Sequence, residues 1–164
     1  AYAADDVAAP SRLPAEKWDR TAMMLIAALL LASAVPAELP LDAASLARLP
    51  AASAKLTAHG STLRCDGVWL ADLAAAAGLP SGDALRGPAL TIAIVAEAAD
   101  GYRTAFTLAE LDAKLGNHPV LVATRCDNKP LDSETGPLRL IVQGEVRAAR
   151  SVRQLQRLKV QPIR

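Results

Sequence analysis

Apolar positions change their period several times along the chain, and each change marks an element. Residues 1–20 mix alanine, proline and charge without any period, which predicts a poorly ordered lead-in. From Met23 to Ala37 the period disappears for the opposite reason, because every position is apolar or small and none is charged. The run is shorter than the ~20 residues that a helix needs to cross a bilayer. It fits the core of a secretory signal, with Lys17 and Arg20 ahead of it and Val35-Pro36-Ala37 as a small-residue cleavage site. A buried core helix, or a first strand over Leu29–Val35, is the competing assignment. The secretory one divides the chain into residues 1–37 and a single working domain over 38–164. That domain is expected to be periplasmic or secreted, with no membrane span in its mature form.

Beyond residue 38 the elements are short. Asp42 precedes apolar residues at helical spacing that stop at Pro50, which predicts a capped helix. Ser53–Ala58 and Ser61–Cys65 flank the turn-like His59-Gly60 and read as a hairpin. Gly67 leads into Val68–Ala77, a predicted helix ended by Gly78. Pro80–Pro88 reads as loop. Leu90–Glu97 is a buried strand by its β-branched alternation, and Asp100-Gly101 turns it back into Tyr102–Phe106. Leu108–Leu115 predicts a helix ending at Gly116. Val120–Arg125, Leu138–Val142 and Val152–Val160 complete the strands. Strands and short helices alternate without a βαβ rhythm, so the class is α+β.

Composition narrows the function by exclusion. Of 164 residues 36 are alanine, and the remaining apolar residues suffice for one globular core rather than a disordered chain or a multi-span membrane protein. A net charge of +1 and five aromatics offer neither the field nor the stacking surface of a nucleic-acid binder. No nucleic-acid partner is therefore expected.

The candidate chemistry is sparse. Arg64-Cys65-Asp66 and Arg125-Cys126-Asp127 repeat the same triplet 61 residues apart. A neighbouring cation favours thiolate and the aspartate opposes it, so three assignments stand: a disulfide, two inert buried thiols, or a metal-binding or redox thiolate. Ser61, His59 and Asp66 can be drawn as a hydrolytic triad, but residues so close along paired strands rarely converge, and no Gly-x-Ser-x-Gly elbow accompanies them. His118 reads as a loop residue. Between Arg139 and Arg164 seven basic residues face one acid. Within that stretch Gly144–Arg153 combines a glycine, small alanines, Arg150 and Arg153, where backbone and guanidinium groups can approach an anion.

Three blocks taken together resemble a known family. Gly67-Val68-Trp69-Leu70-Ala71-Asp72-Leu73 with Ala77-Gly78, then Asp100-Gly101-Tyr102-Arg103 with Leu108, form the first two. The third runs through Lys129-Pro130-Leu131-Asp132, Gly136-Pro137-Leu138-Arg139-Leu140 and Ala149-Arg150-Ser151-Val152-Arg153. Their order and spacing over residues 38–160 are similar to the sulfite-oxidase-type molybdopterin-binding domain. The resemblance implies an α+β domain with a mixed sheet and a β-grasp-like portion. It implies a pterin-pyrophosphate site in which Arg150, Ser151 and Arg153 contact the pterin, with Arg153 in place of the family's usual lysine. The family's molybdenum-ligating cysteine belongs where this chain has Thr57-Ala58-His59-Gly60-Ser61, and the long insertion beside it is absent. That makes His59 a candidate cofactor contact and Cys65 the candidate metal ligand, with Cys126 behind it. Gln154 and Gln143 replace a tryptophan and a proline of the family pattern.

Two functions follow from the resemblance. One is a small molybdopterin oxidoreductase, with Cys65 on molybdenum, Arg150 and Arg153 on the cofactor, and a redox or protein partner. The other is a non-catalytic binding or interaction module that retains the fold. No residue is assigned to catalysis itself.

Overall fold

The computed structural model describes residues 35–58 and 60–163. The lead-in, nearly all of the signal-like run and His59 lie outside the described residues. Among the described residues no helix is long and apolar enough to cross a membrane.

Helix α1 (Ala43–Ala47) is one turn long, and Asp42 caps it by accepting from the Ser45 backbone N–H at 2.9 Å and from its hydroxyl at 2.7 Å. Strands β1 (Ala52–Ala58) and β2 (Ser61–Trp69) form the expected hairpin, with Gly60 at a φ of +78° in the turn. β2 runs past Gly67, so Val68 and Trp69 are strand rather than helix. Both suit a pleated surface, and they pair with Val122 and Leu121 of a later strand, an interaction that local periodicity does not reveal. Helix α2 (Leu70–Ala76) follows, burying Leu70, Leu73 and Ala74. Two 3-10 turns follow, Gly82–Ala84 within the expected loop and Gly87–Thr91 running past it, so that Leu90 and Thr91 are turn rather than the start of the expected strand.

Strands β3 (Ile92–Ala98) and β4 (Arg103–Thr107) form the second hairpin. Helix α3 (Leu108–Leu111) is far shorter than its apolar spacing suggests. Asp112 ends it, because its carboxylate accepts the N–H groups of Gly82 and Lys114 and holds its backbone extended. Strands β5 (Val120–Cys126), β6 (Lys129–Pro130), β7 (Arg139–Val142) and β8 (Leu155–Pro162) complete the domain, with a 3-10 turn at Ala148–Arg150. β8 begins three residues later than expected, because Gln154 adopts a φ of +47°.

The strands make two sheets, one ordered β1-β2-β5 with β6 and β7 both on the far edge of β5, the other β4-β3-β8. The α+β class holds. The expected mixed sheet does not: every pairing among the described residues is antiparallel. The larger sheet is buried on both faces. Val68, Val120, Val122, Leu140 and Val142 join the main core with α2, Ile94, Phe106 and Leu158. The alternate residues Leu121, Ala123 and Ile141 join Ala54, Leu56 and Cys65 in a smaller core on the opposite face. The sheet curls around that second core, bringing β1 close to β7 and to the Ala148–Arg150 turn.

One buried charge sits in the smaller sheet. Glu97 on β3 accepts from Lys159 Nζ and Arg157 Nε of β8, each at 3.1 Å. The Lys159 hydrogen bond, outweighing burial and helped by Arg157, holds its carboxyl below the usual range. A carboxyl depressed in the folded state stabilises above its unfolded pKa and loses that contribution as pH falls through the folded value. Acid titration of the unfolding midpoint should therefore show a fall below about pH 4.5, shallower in Glu97→Gln.

Candidate functional site

The doubled triplet explains itself once β2 and β5 are paired. Cys65 and Cys126 are direct cross-strand partners, with Cα atoms 4.0 Å apart, and they form a disulfide. Asp127 N–H donates to Arg64 O at 2.7 Å, which makes the neighbouring pair hydrogen-bonded and places the cysteines at the closer, non-hydrogen-bonded position. The flanking charges of one copy serve the other. Arg125 Nε reaches Asp66 Oδ2 at 3.2 Å, and the Arg64 N–H donates to Asp127 Oδ1 at 2.9 Å. Cys65 is fully buried. The expected metal ligand is corrected here: both cysteine sulfurs are spent on each other, and a disulfide sulfur is not a thiolate.

Arg150 also turns inward. Its Nε donates to Glu145 Oε1 at 2.6 Å and its Nη1 to Glu110 Oε1 at 2.8 Å, while the guanidinium lies 5.0 Å from the Phe106 ring centroid. Against the pull of burial, those two carboxylates hold it above its ordinary pKa. Arg150 thus ties α3, β4 and the loop after β7 together. Arg150→Ala leaves two half-buried carboxylates without their cation and should cost about 2 kcal/mol in urea unfolding, with Arg150→Lys recovering only part because it lacks the fork.

Ser151 is likewise engaged, its Oγ accepting the Val142 N–H at 3.0 Å. His118 has a buried Nε2 without a hydrogen-bond partner, 4.0 Å from Glu145 Oε1.

Of the three expected contacts, Ser151 and Arg153 line a common cavity, and Arg153 is the exposed one. That cavity, about 450 Å³, lies between the β3–β4 hairpin (Ala98, Asp100, Tyr102) and the Ala148–Arg153 segment, with Arg139 in its wall. Tyr102 Oη donates to Ala149 O at 2.6 Å and fixes one side against the other. Arg139 Nε is buried with no hydrogen-bond partner. Burial first, and then the charge of Arg153, hold the Arg139 guanidinium below its ordinary pKa, against the pull of Asp132. Two arginines that repel one another beside one cavity make a place where an anion is favoured by both charges. Arg139 opens a strand and looked like one of many dispersed cations. Its distance along the chain from Arg153 hid the pairing that β7 and the loop create.

The family model of the oxidoreductase molybdopterin binding domain matches residues 38–163. The chain belongs to that family. No curated protein matches it.

The family binds the molybdopterin cofactor, and the residues present can be set against its two ends. The anionic end fits in charge, because Arg139 and Arg153 line the same cavity. A cysteine-ligated metal does not fit, because Cys65 and Cys126 are closed on each other inside the small core.

Proposed function

We propose that this chain is an extracytoplasmic binding domain of the molybdopterin family that takes an anionic, pyrophosphate-type ligand between Arg139 and Arg153 and carries no cysteine ligand for molybdenum. The observation that carries this is the Cys65–Cys126 disulfide, which uses every sulfur that could act as a thiolate. The same bond supports the location, since such bonds persist in oxidising compartments. A guanidinium pair is suited to a diphosphate, because each planar fork binds two oxygens at once. Its role in this reading is retention of the ligand rather than oxygen-atom transfer.

The test is exported expression in a host that makes the cofactor, with molybdenum and pterin measured on the purified protein. Molybdenum should fall far below one per chain. Pyrophosphate binding by calorimetry should weaken about 10-fold or more in Arg139→Ala and in Arg153→Ala, the worth of a charge-assisted hydrogen bond, and stay unchanged in Arg150→Lys. Stoichiometric molybdenum that disappears in Cys65→Ser would overturn the proposal and restore the oxidoreductase with Cys65 on the metal.

A further inference from the structure

We propose that the free edge of β1 is a docking site for an extended, acidic segment of a partner protein. The site is separate from the Arg139–Arg153 cavity and does not depend on what that cavity holds.

The backbone supplies the first argument. Among the described residues β1 pairs with β2 alone. Lys55 and Arg64 face each other at a non-hydrogen-bonded position, and alternation along the ladder then points the N–H and C=O groups of Ser53, Lys55 and Thr57 away from β2. Two observations fix that parity independently. The Lys55 N–H donates outward to Gln143 Oε1 at 2.9 Å, and Arg64, opposite Lys55, directs its own N–H and C=O to Asp127 on the β5 side. The edge faces a slot of about 600 Å³, walled on its other side by Gln143, Gly144, Glu145 and Val146. Within it the Gln143 amide oxygen stands where the carbonyl of a next strand would be. A side chain makes that bond today, and an incoming backbone can replace it.

Charge supplies the second argument and names the partner's chemistry. Lys55 and Arg64 are direct cross-strand partners, both exposed and both lining the slot. Like charges directly opposite one another are unfavourable, most of all at the closer non-hydrogen-bonded position. Of the nearby carboxylates, Asp66 is shared among Ser53, Arg125 and, at 4.0 Å, Arg64, while Glu145 is bound to Arg150, so among the described residues Lys55 has no carboxylate partner. A glutamate or aspartate on the incoming strand would sit between the two cations. Val146, 98% exposed on the rim, offers that strand an apolar contact.

The probe is a short acetylated, amidated peptide alternating glutamate with valine, titrated against the isotope-labelled protein by NMR. Shifts should concentrate on Ser53, Lys55, Thr57 and Gln143. The lysine-for-glutamate peptide should bind about 10-fold more weakly, as expected for charged hydrogen bonds. Thr57→Pro removes an outward N–H and the Thr57–Thr62 hydroxyl contact but no backbone bond of the ladder to β2, and should weaken binding by about the same factor, with Thr57→Val as the control that loses the hydroxyl alone. Gln143→Ala clears the competing acceptor and should strengthen it about 2- to 10-fold, the equivalent of one net hydrogen bond. Lys55→Glu, which leaves the backbone alone, should invert the preference between the two peptides. Equal binding of a peptide N-methylated at alternate residues would reduce the site to a charged patch and overturn the proposal. So would absence of binding, shifts away from β1, or a Thr57→Pro effect on oligomeric state alone, which would make a second copy of this chain the occupant.

Discussion

Replacing Cys65 and Cys126 together by alanine should lower the unfolding free energy by about 4 kcal/mol while leaving the metal content unchanged. The bond closes a loop with a sequence separation of 61. In the chain-entropy account, a loop of that size removes roughly 4 kcal/mol of denatured-state freedom. Cys65 is also fully buried in the small core with Ala54, Leu56, Leu121, Ala123 and Ile141, so losing its sulfur removes packing from the sheet's second face. Urea unfolding of the variant, and of the wild type with and without reductant, separates the two contributions. The reduced wild type should fall most of the way to the variant. An unchanged midpoint would mean that the pair is open in solution, and the thiolate function would return with it.

Gly67→Ala should be nearly as severe, about 3 kcal/mol, at the upper end of what overpacking costs. The register between β2 and β5 shifts at Asp66 and Gly67, and there the two backbones come unusually close. A Cβ on Gly67 would lie 1.9 Å from Val122 O and 2.8 Å from Ala123 Cα, atoms that cannot rotate away. Gly60 is the control. Its φ of +78° disfavours alanine, but nothing lies within 4 Å of the added carbon, so Gly60→Ala should cost only about 1–2 kcal/mol. Thermal or urea midpoints of the two variants should rank in that order.

Elements defined by near neighbours were legible in the sequence. The Asp42 cap, the β1–β2 hairpin and the β3–β4 hairpin each depend on residues a few positions apart, and each occurs as expected. Elements that answer to distant partners were not. Val68 and Trp69 are strand because β5 is beside them, and α3 stops early because Asp112 is needed by Gly82. The site followed the same rule. Arg150 and Arg153 are equivalent in sequence, two guanidiniums in one loop, yet Glu110 and Glu145 claim the first and leave the second at the cavity. Cys65 kept three possible fates until Cys126 was placed opposite it. The family assignment survived these local reversals because it rests on the order of several blocks over residues 38–163.

The cross-strand bond between β2 and β5 also has a topological consequence. It makes a covalent ring of the chain between Cys65 and Cys126, with α2, β3, β4 and α3 inside it and β1, β7 and β8 on the two tails. A protease that cuts the turns between Gly82 and Thr91 therefore opens the ring without releasing a fragment. The nicked protein runs as one species until it is reduced, and the smaller sheet stays assembled from a ring hairpin and a tail strand.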